Sequence, residues 1–459
     1  MQHQNHNVLD TSHIGRLLFK LTLPMFFGMF FQTTYNIVDA VFLGQFVGPL
    51  AIAGISVIFP LQMLTIGIGN MVGIGGASLI SRMIGAGEKE QAECALGNGI
   101  TFAVLFSIIL TAVFLPTMGF WLKLIGASPE VLPFARDYLT ITISGTIFNV
   151  LGSVLLTYAR SEGNSRVVMV AYIMGSLLNI ALDAVFIISL DMGVRGAALA
   201  TVISQALAMT YILFYYLNGN SFLKIHSGNL APDLKILKSI FAIGIASLVQ
   251  ALAMTVSAAI LIRMAATYGG DIALSVFGII QRVMMFSFMP GQVLGQGLQP
   301  ILGYNFGARR YHLALKAISI AAIASTVFSV VAFVVLFFFP GPVMGIFTNE
   351  PALIAAGTYA AHRIFFVLPL MGFFTVGSLV FPSIGKAFES FIIAIARPLV
   401  FLMPAVLLLP RLWQLNGVWL AFPVSDTLTF LLTVVMLIPL FREFGKAAAA
   451  EKRGAAPAG

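Results

Sequence analysis

Charged residues are scarce in this chain. Only 9% of its 459 residues are Asp, Glu, Lys or Arg, whereas 59% are hydrophobic. A soluble domain carries roughly 25% charged residues, so this composition excludes an ordinary water-soluble globular protein and indicates a chain solvated by lipid. Apolar runs of about 20 residues, the length of one membrane crossing, recur from end to end.

Cysteine and histidine are also rare. The single cysteine, Cys94, excludes an intrachain disulfide and a cysteine-based metal cluster. The six histidines lie in tails, in loops or at the end of an apolar run, and no HExxH or Gly-x-Gly-Asp motif occurs, so neither an enzyme nor a cofactor is expected. The net charge of +8 comes from Lys and Arg at helix ends rather than from a basic stripe with aromatics, so no nucleic acid partner is expected.

The two halves of the chain resemble one another. The sequence Gly-Ala-Gly at 85–87 has a counterpart in Gly-Ala-Arg at 307–309, offset by 222 residues, and Gly196 has a counterpart in Gly417, offset by 221. Tandem repeats are typical of transporters that move one helix bundle against the other around a site near the bilayer midplane. The repeat therefore favours a transporter over a channel, for which the sequence has no loop resembling a selectivity filter.

Twelve apolar runs predict twelve transmembrane helices, and hence an all-α polytopic membrane protein. The expected spans are roughly 17–43, 49–80, 95–117, 136–158, 167–190, 196–217, 239–263, 273–301, 315–339, 362–383, 391–410 and 417–441. The expected divisions are an N-terminal tail at 1–15, a first lobe of six helices at 16–217, a linker at 218–238, a second lobe at 239–442 and a disordered C-terminal tail at 443–459.

Lysine and arginine predict the orientation in the membrane. With the N-terminus inside, 18 of them lie on the inner side and 6 on the outer side, and Arg282 is left within a span. The positive-inside rule then places both termini and the linker in the cytosol. Because each lobe has an even number of spans, the two repeats are expected to be parallel.

Apart from residues assigned to the helix ends, four ionisable residues fall within the expected spans. They are Asp39, Asp183, Arg282 and Asp426. Each costs about 2.5–3.5 kcal/mol at a helix centre on insertion scales. Such residues tend to face the interior of a helix bundle, where they bind ions or pair with one another.

Oxygen-bearing side chains concentrate in the first lobe. Asp183 follows Asn179 by four residues, so both share one helix face, and Asp39 and Thr201 lie in the first and sixth spans. Such a set suits a hard monovalent cation. Two nearby carboxylates also resist both being ionised, so one of them could carry a proton. The sequence leaves Na⁺ and H⁺ open, and in the alternative interpretation Asn179 and Asp183 only bridge helices.

Other side chains are candidates for a substrate cavity. They are Gln32, Tyr35, Asn36, Asn149, Met284, Met285 and Phe288. Methionine and phenylalanine suit an adaptable apolar pocket, and the alternative is that they pack against lipid. In the second lobe, Arg282 and Asp426 predict a structural ion pair, or else a gate beside the substrate path.

With these motifs, the chain resembles the multidrug and toxic compound extrusion (MATE) family, nearest its bacterial DinF-like and MepA-like members. The resemblance covers about 15–442 and rests on Gln-Thr-Thr-Tyr-Asn-Ile-Val-Asp at 32–39 with Gly44, the paired glycine turns, and Asn-Ile-Ala-Leu-Asp at 179–183. It implies two pseudo-symmetric six-helix lobes that form a V around a central cavity. The implied activity is antiport, in which cationic lipophilic drugs are exported in exchange for Na⁺ or H⁺. In members with a cation site in the first lobe, the ligands match Asp39, Asn179, Asp183 and Thr201.

One departure from the family pattern bears on coupling. A NorM-like branch uses acidic residues in the seventh and tenth spans, and this chain has neither, so coupling is expected in the first lobe. Relatives of this architecture also flip lipids or lipid-linked saccharides, usually with several cationic residues in the cavity. Only Arg282 is available here, which argues against that alternative. The resemblance implies a monomer in the bacterial cytoplasmic membrane, with small cationic substrates and the bilayer as partners and no cofactor beyond the coupling ion.

Overall fold

The computed structural model describes residues 8–452, and within that range every regular element is a helix. The helices are α1 (Ile14–Phe42), α2 (Pro49–Ala86), α3 (Lys89–Ile125), α4 (Leu132–Ser144), α5 (Thr146–Ser161), α6 (Ser165–Asp183), α7 (Gly193–Leu217), α8 (Leu234–Gly307), α9 (Tyr311–Phe338), α10 (Pro340–Gly345), α11 (Pro351–Ile364), α12 (Leu368–Ser383), α13 (Ala387–Ile395) and α14 (Met403–Lys452). Short π-helical segments lie at Leu43–Val47, Ala184–Ser189 and Ala396–Leu402, and 3₁₀ turns at Ser227–Leu230 and Phe365–Val367. The predicted all-α fold class is confirmed.

The number of membrane spans follows from helix length. Among residues 8–452, nine helical stretches are long and apolar enough to cross a membrane, or ten when α4 and α5, bent by 52°, form one span. Two of these stretches, Leu234–Gly307 with 74 residues and Ala387–Glu451 with 65, far exceed the about 20 residues of one crossing. Each contains a break in helical geometry, at Gly270 and at Trp413–Gln414, where one span ends and the next begins. The predicted twelve helices are therefore confirmed.

Large apolar side chains are exposed along these helices. Phe19, Phe338 and Leu412 leave 65%, 63% and 73% of their surface uncovered by the protein. Exposed apolar surface on this scale is unfavourable in water but is the normal boundary of a helix in lipid. The chain is therefore a multi-pass membrane protein.

The helices form two compact units. The first holds Phe19–Leu248 together with the described residues up to Thr11, and the second holds Ser12–Leu18 and the chain from Val249 onward. The first unit thus contains α2 to α7, most of α1 and the first turns of α8. The second contains the rest of α8 and α9 to α14.

The backbone preserves the repeat that the sequence predicts. Residues in the left-handed region of φ recur in pairs separated by 222, 222, 222 and 221 positions. These pairs are Gly48 and Gly270, Gly87 and Arg309, Gly163 and Gly385, and Gly193 and Gln414. Each lies at the end or start of a helix or, for Gly270 and Gln414, at the break within α8 or α14. Since left-handed backbone is unfavourable for non-glycine residues such as Arg309 and Gln414, its retention at equivalent positions supports a common fold for the two repeats.

Small residues allow close helix packing in the first unit. The ring of Tyr158 in α5 is fully buried, and its hydroxyl donates a hydrogen bond to the Val72 carbonyl of α2 at 3.0 Å. A Cβ atom on Gly76 in α2 or on Gly99 in α3 would overlap that hydroxyl. Glycine at both positions therefore makes room for the aromatic ring between the two helices.

Gly244→Ala is expected to lower the free energy of unfolding by about 2 kcal/mol or more, in the range of overpacked cores. The added methyl would overlap the Met71 carbonyl where α8 crosses α2, a contact too short to be relieved by a side-chain rotation. Thermal unfolding of the purified protein in detergent measures the loss. Gly278→Ala, on the same helix but with no atom within 4 Å of the new methyl, is the matched control. Equal stability of the two variants would contradict the prediction.

The segment between α7 and α8 is bound to the first unit. The buried Glu162 carboxylate accepts hydrogen bonds from the Ser221 hydroxyl at 2.6 Å and the Phe222 amide at 3.0 Å. Glu93 accepts one from the Lys224 amide at 3.1 Å, and Asn98 accepts one from the Asp233 amide at 2.8 Å. The linker predicted at 218–238 is in fact shorter, because α8 already begins at Leu234, and its hydrogen bonds fix its course.

The buried Glu162 carboxyl is expected to make the free energy of unfolding depend on pH. Burial raises the pKa of its carboxyl from 4.5 to about 7, although hydrogen bonds from Ser221 and nearby groups act in the opposite direction. Because the folded state binds the proton more tightly than the unfolded state, this group lowers stability by about 3 kcal/mol as the pH rises from 4.5 to 7. Glu162→Gln should remove that slope in thermal unfolding curves recorded from pH 5 to 8. Glu130→Gln, at an exposed position, should keep it, and an unchanged slope in Glu162→Gln would refute the assignment.

The terminal segments of the described chain are more ordered than the sequence predicts. Residues 1–7 and 453–459 lie outside the described residues, so the tail predictions stand untested there. Leu9 is buried against Gly163, and α1 begins at Ile14. The expectation of disorder at 443–459 is wrong for residues 443–452, because α14 continues to Lys452. Its alanine-rich end favours helix, since alanine has the highest helix propensity.

Candidate functional site

Two carboxylates of the first unit lie at points where regular α-helix gives way to π-helix. Asp183 is the last residue of α6, immediately before the π-helical segment Ala184–Ser189. Asp39 lies in the last turn of α1, shortly before Leu43–Val47. π-helical turns are rare and frequently occur at functional sites, because they shift side chains out of the regular helical register.

Asn179 connects Asp183 to the neighbouring helix α7. With its amide oriented to satisfy both neighbours, Asn179 donates a hydrogen bond to Asp183 Oδ2 at 3.1 Å and accepts one from the Thr201 amide at 3.3 Å. Asn179 and Asp183 are 1% and 0% exposed. The structure thus brings together three of the four predicted cation ligands, and the i, i+4 spacing explains the contact within α6.

The fourth predicted ligand, Asp39, completes a set of unsatisfied oxygens. Its carboxylate is close enough to Asp183 to interact with it electrostatically. Asp39 Oδ1 and Asp183 Oδ1 are both buried, and neither has a hydrogen-bond partner among the described residues. Buried polar atoms normally have partners, so these two oxygens are suited to bind a cation or a proton. The described residues contain no group of three or more His, Cys, Asp and Glu that could bind a metal, so a cation here would also need the Asn179 and Thr201 oxygens.

A cavity of about 120 Å³ adjoins this group. Its lining includes Gln32 and Tyr35 of α1, Asn149 of α5, Asn179 and Thr201. Three of the predicted cavity residues, Gln32, Tyr35 and Asn149, therefore line one cavity together with Asn179 and Thr201. The other four predicted residues lie elsewhere. Asn36 is exposed and donates a hydrogen bond to the Gln32 carbonyl of its own helix at 2.8 Å, while Met284 is buried, Met285 exposed and Phe288 half-buried in the second unit.

Two tyrosines belong to the site although their residue type alone did not indicate it. Tyr138 of α4 is 4% exposed, and its hydroxyl interacts with Thr201 and electrostatically with Asp39. Tyr172 of α6 lines the cavity together with Tyr35 and interacts with it electrostatically. The position of Tyr172 could have indicated it, because it precedes Asn179 by seven residues, or two helical turns, and so lies on the same face of α6.

The carboxylates occur in only one of the two repeats. At the repeat offset, Asp39 corresponds to Leu261 and Asp183 to Ala405. Asn179 corresponds to Phe401 at the same offset of 222, and Thr201 corresponds to Phe422 at the offset of 221 that relates Gly196 to Gly417. Every position of the group is apolar in the second repeat, so that repeat has no equivalent of this group at the matching positions.

The partner of Asp426 is not the predicted one. Asp426 is 3% exposed, and its Oδ1 accepts a hydrogen bond from Arg397 Nε at 2.7 Å. Arg282 is exposed instead, so the predicted ion pair between Arg282 and Asp426 is wrong. The physical reason is depth. Arg397 lies in the π-helical segment Ala396–Leu402, inside the expected span 391–410, whereas the count of cations on the inner side placed it at a helix end, and so it reaches the carboxylate of α14.

Comparisons with known proteins agree with this architecture. The sequence profile of the MatE family matches residues 24–185 and again residues 246–407, two matches that are offset by the same 222 residues as the repeat. The multidrug export protein MepA of Staphylococcus haemolyticus (strain JCSC1435) is 27% identical over 433 residues, which cover 94% of this chain and 95% of MepA. MepA of Staphylococcus aureus (strain MRSA252) is 26% identical over 437 residues, which cover 95% of each protein.

Solved structures show the same fold. An outward-facing multidrug resistance MATE family transporter of the MOP superfamily superposes with a TM-score of 0.90 at 25% identity, covering 95% of this chain and 98% of that one. A MOP superfamily transporter from Pyrococcus furiosus superposes with a TM-score of 0.89 at 25% identity, covering 97% and 98%. Fold and site together define a polytopic membrane protein of twelve helices in two repeats, with the Asp39 and Asp183 carboxylates in the first. Because the family profile matches both halves, the chain belongs to the MatE family.

Proposed function

We propose that this protein is a secondary antiporter that exports cationic lipophilic compounds in exchange for Na⁺ or H⁺. The observation that carries the proposal is the pair of buried, unpartnered carboxylate oxygens on Asp39 and Asp183. Two acids in an interior with few other charges attract cations, either as coupling ion or as substrate. The similarity to relatives named multidrug export protein supports export of drugs, and the negative charge of the site supports cationic ones.

The coupling step rests on competition for these carboxylates. Asp39, Asn179, Asp183 and Thr201 would hold Na⁺ through oxygen atoms, or Asp39 and Asp183 would take up a proton. Binding of either ion neutralises the site and lowers its affinity for a cationic substrate. A ligand shifts a conformational equilibrium only by its differential affinity for the two states. Ion and substrate must therefore favour opposite states of the alternating-access cycle.

The energy in the ion gradient is sufficient for export. One charge that moves down 100 mV releases about 2.3 kcal/mol, and a tenfold ion gradient adds about 1.4 kcal/mol. A one-for-one exchange with a monovalent cation moves no net charge, so the ion gradient alone supports about a tenfold substrate gradient. Exchange of more than one ion per substrate moves net charge and adds the energy of the membrane potential.

The cellular setting is part of the proposal. The excess of Lys and Arg on one side of the predicted spans supports cytosolic termini. We place the protein in the bacterial cytoplasmic membrane as a monomer, with no cofactor beyond the coupling ion.

Ethidium efflux from proteoliposomes tests the proposal. Wild-type protein is reconstituted and given an inward sodium gradient alone, and then an inward proton gradient alone. The proposal expects one gradient to drive ethidium out of the proteoliposomes at a rate at least about tenfold above that of liposomes without protein. If neither gradient moves the dye, while fluorescent lipid analogues cross the bilayer faster than in empty liposomes, the protein is a lipid flippase and the antiport proposal fails.

A further inference from the structure

A second cavity, of about 260 Å³, lies at the opposite end of α6 from Asp183. It is lined by the junction of α5 with α6, by α1, by the end of α7 and by the bound linker. The lining residues used below are Lys20, Glu162, Asn164, Ser165, Arg166 and Tyr215. None of them belongs to the carboxylate site described above.

One side of this cavity is built for an anion. Lys20 and Arg166 supply two positive charges. The N-terminus of α6 opens here without a side-chain cap, because the Asn164 amide donates to the Tyr215 hydroxyl at 3.1 Å instead. The Ser165 hydroxyl is 2% exposed and has no hydrogen-bond partner among the described residues. A helix N-terminus with free amides, a hydroxyl and two cations is a favourable environment for a phosphate group.

The other side of the cavity is built for a cation. Glu162 is 5% exposed and uses only Oε2 to hold the linker. Its buried Oε1 accepts no hydrogen bond of normal geometry within residues 8–452, and the hydroxyls of Tyr215 and Tyr216, which interact with this carboxyl, supply no positive charge. Neither Lys20 nor Arg166 approaches any carboxylate to within the 4.0 Å of an ion pair in the described part of the chain. Lys20 and Arg166 therefore line one cavity with the Glu162 carboxyl without forming an ion pair with it. A ligand that bridges them must carry both a negative and a positive group.

We propose that this cavity binds a phosphoethanolamine group. Its phosphate would lie at Lys20, Arg166, the Ser165 hydroxyl and the first amides of α6. Its primary ammonium would donate a hydrogen bond to Glu162 Oε1 and supply the counter-charge that this buried carboxylate lacks. A choline group has no N–H to donate, and a phosphoglycerol group carries no cation, so neither satisfies Glu162.

The same chemistry is present in a membrane lipid and in a free solute. The lipid is favoured by α1, where Phe19, Leu23 and Phe27 follow one another at intervals of four residues and expose 65%, 42% and 47% of their surface. Lys20 is adjacent to this stripe in the sequence. Acyl chains could lie along the stripe while the headgroup enters the cavity.

Native mass spectrometry of the full-length protein in detergent tests the proposal. Phosphatidylethanolamine, phosphatidylcholine and phosphatidylglycerol with identical acyl chains are added in equal amounts. The first lipid retained by the wild type should be phosphatidylethanolamine, in at least fivefold preference over either competitor. Equal retention of the three lipids would show that the cavity does not select the phosphoethanolamine group, and it would overturn the proposal. Soluble glycerophosphoethanolamine, added at increasing concentration, distinguishes the two sources. If the cavity binds the free solute, this competitor displaces bound phosphatidylethanolamine when the two are at equal concentration. If the cavity binds the lipid, the phosphatidylethanolamine is retained at that concentration.

Variants locate the binding in this cavity. Glu162→Gln should abolish the preference for ethanolamine over choline, whereas Arg166→Gln should lower the retention of all three lipids. Ser165→Ala, a smaller change that removes only the unpartnered hydroxyl, should weaken retention of phosphatidylethanolamine at least threefold. Lys123→Gln removes a cation from the last turn of α3, outside this cavity, and should behave as the wild type. If Glu162→Gln and Ser165→Ala both keep the wild-type preference, the lipid binds elsewhere and the proposal is overturned.

Discussion

Asp39→Asn is expected to abolish ion-driven export while the protein is still made and inserted normally. Asparagine has the shape of aspartate but neither takes up a proton nor carries the negative charge that binds Na⁺. The variant therefore cannot change charge when the ion gradient is imposed, and nothing links the ion to the transport cycle. We expect the ethidium efflux rate to fall at least about tenfold, to that of empty liposomes, and Asp183→Asn to give the same result.

A matched control is available close to Asp183 in the sequence. Asp191 is exposed and adopts a positive φ of 49°, a conformation that Asp and Asn both tolerate. Asp191→Asn should therefore leave efflux unchanged. Undiminished efflux by Asp39→Asn and Asp183→Asn would remove both carboxylates from the coupling mechanism.

Arg397→Met is expected to be the most destabilising of the substitutions considered in the second unit. It leaves the Asp426 carboxylate, which is 3% exposed, without its partner at 2.7 Å. Removing one member of a buried ion pair costs about 3–5 kcal/mol, because the remaining charge stays desolvated and unpaired. Thermal unfolding of the purified protein in detergent should show the loss as a lower midpoint temperature.

The double variant separates loss of the pair from loss of packing. Arg397→Met with Asp426→Leu removes both charges, and replacing a buried pair by apolar side chains is often neutral or stabilising. The double variant should thus be more stable than Arg397→Met alone. Arg263→Met, at an exposed position of the same unit, should change stability by less than about 0.5 kcal/mol. A double variant no more stable than the single one would show that Asp426 does not depend on Arg397.

The fold was predictable because it depends on periodic features of the chain. Apolar runs of membrane-spanning length predicted the helices, and the glycine turns at 85–87 and 307–309 predicted the repeat that the left-handed residues confirm. The contact between Asn179 and Asp183 was predictable for the same reason, since residues four apart in a helix are neighbours. Its role in coupling stays a prediction.

Contacts between helices were harder to predict. Whether Arg282 or Arg397 reaches Asp426 depends on the depth and rotation of three helices, and the sequence contains no periodic signal for either. The hydrogen bonds of Glu162 and Glu93 to the linker could not be predicted either, because the sequence of a polar segment between two spans does not show whether that segment is bound to the helices. Tyr138 joins the site through the packing of α4 against α7, which helical periodicity within α4 does not reveal.

Competition between ion and substrate is the central claim, and equilibrium binding tests it most directly. The dissociation constant of ethidium is measured on purified protein across a series of Na⁺ concentrations at fixed pH, and across pH at fixed Na⁺. The account predicts that one of the two ions raises the wild-type constant at least about fivefold, the lower end of typical coupling between sites, and that Asp39→Asn shows no such change. An ethidium affinity that is independent of both ions in the wild type would contradict it.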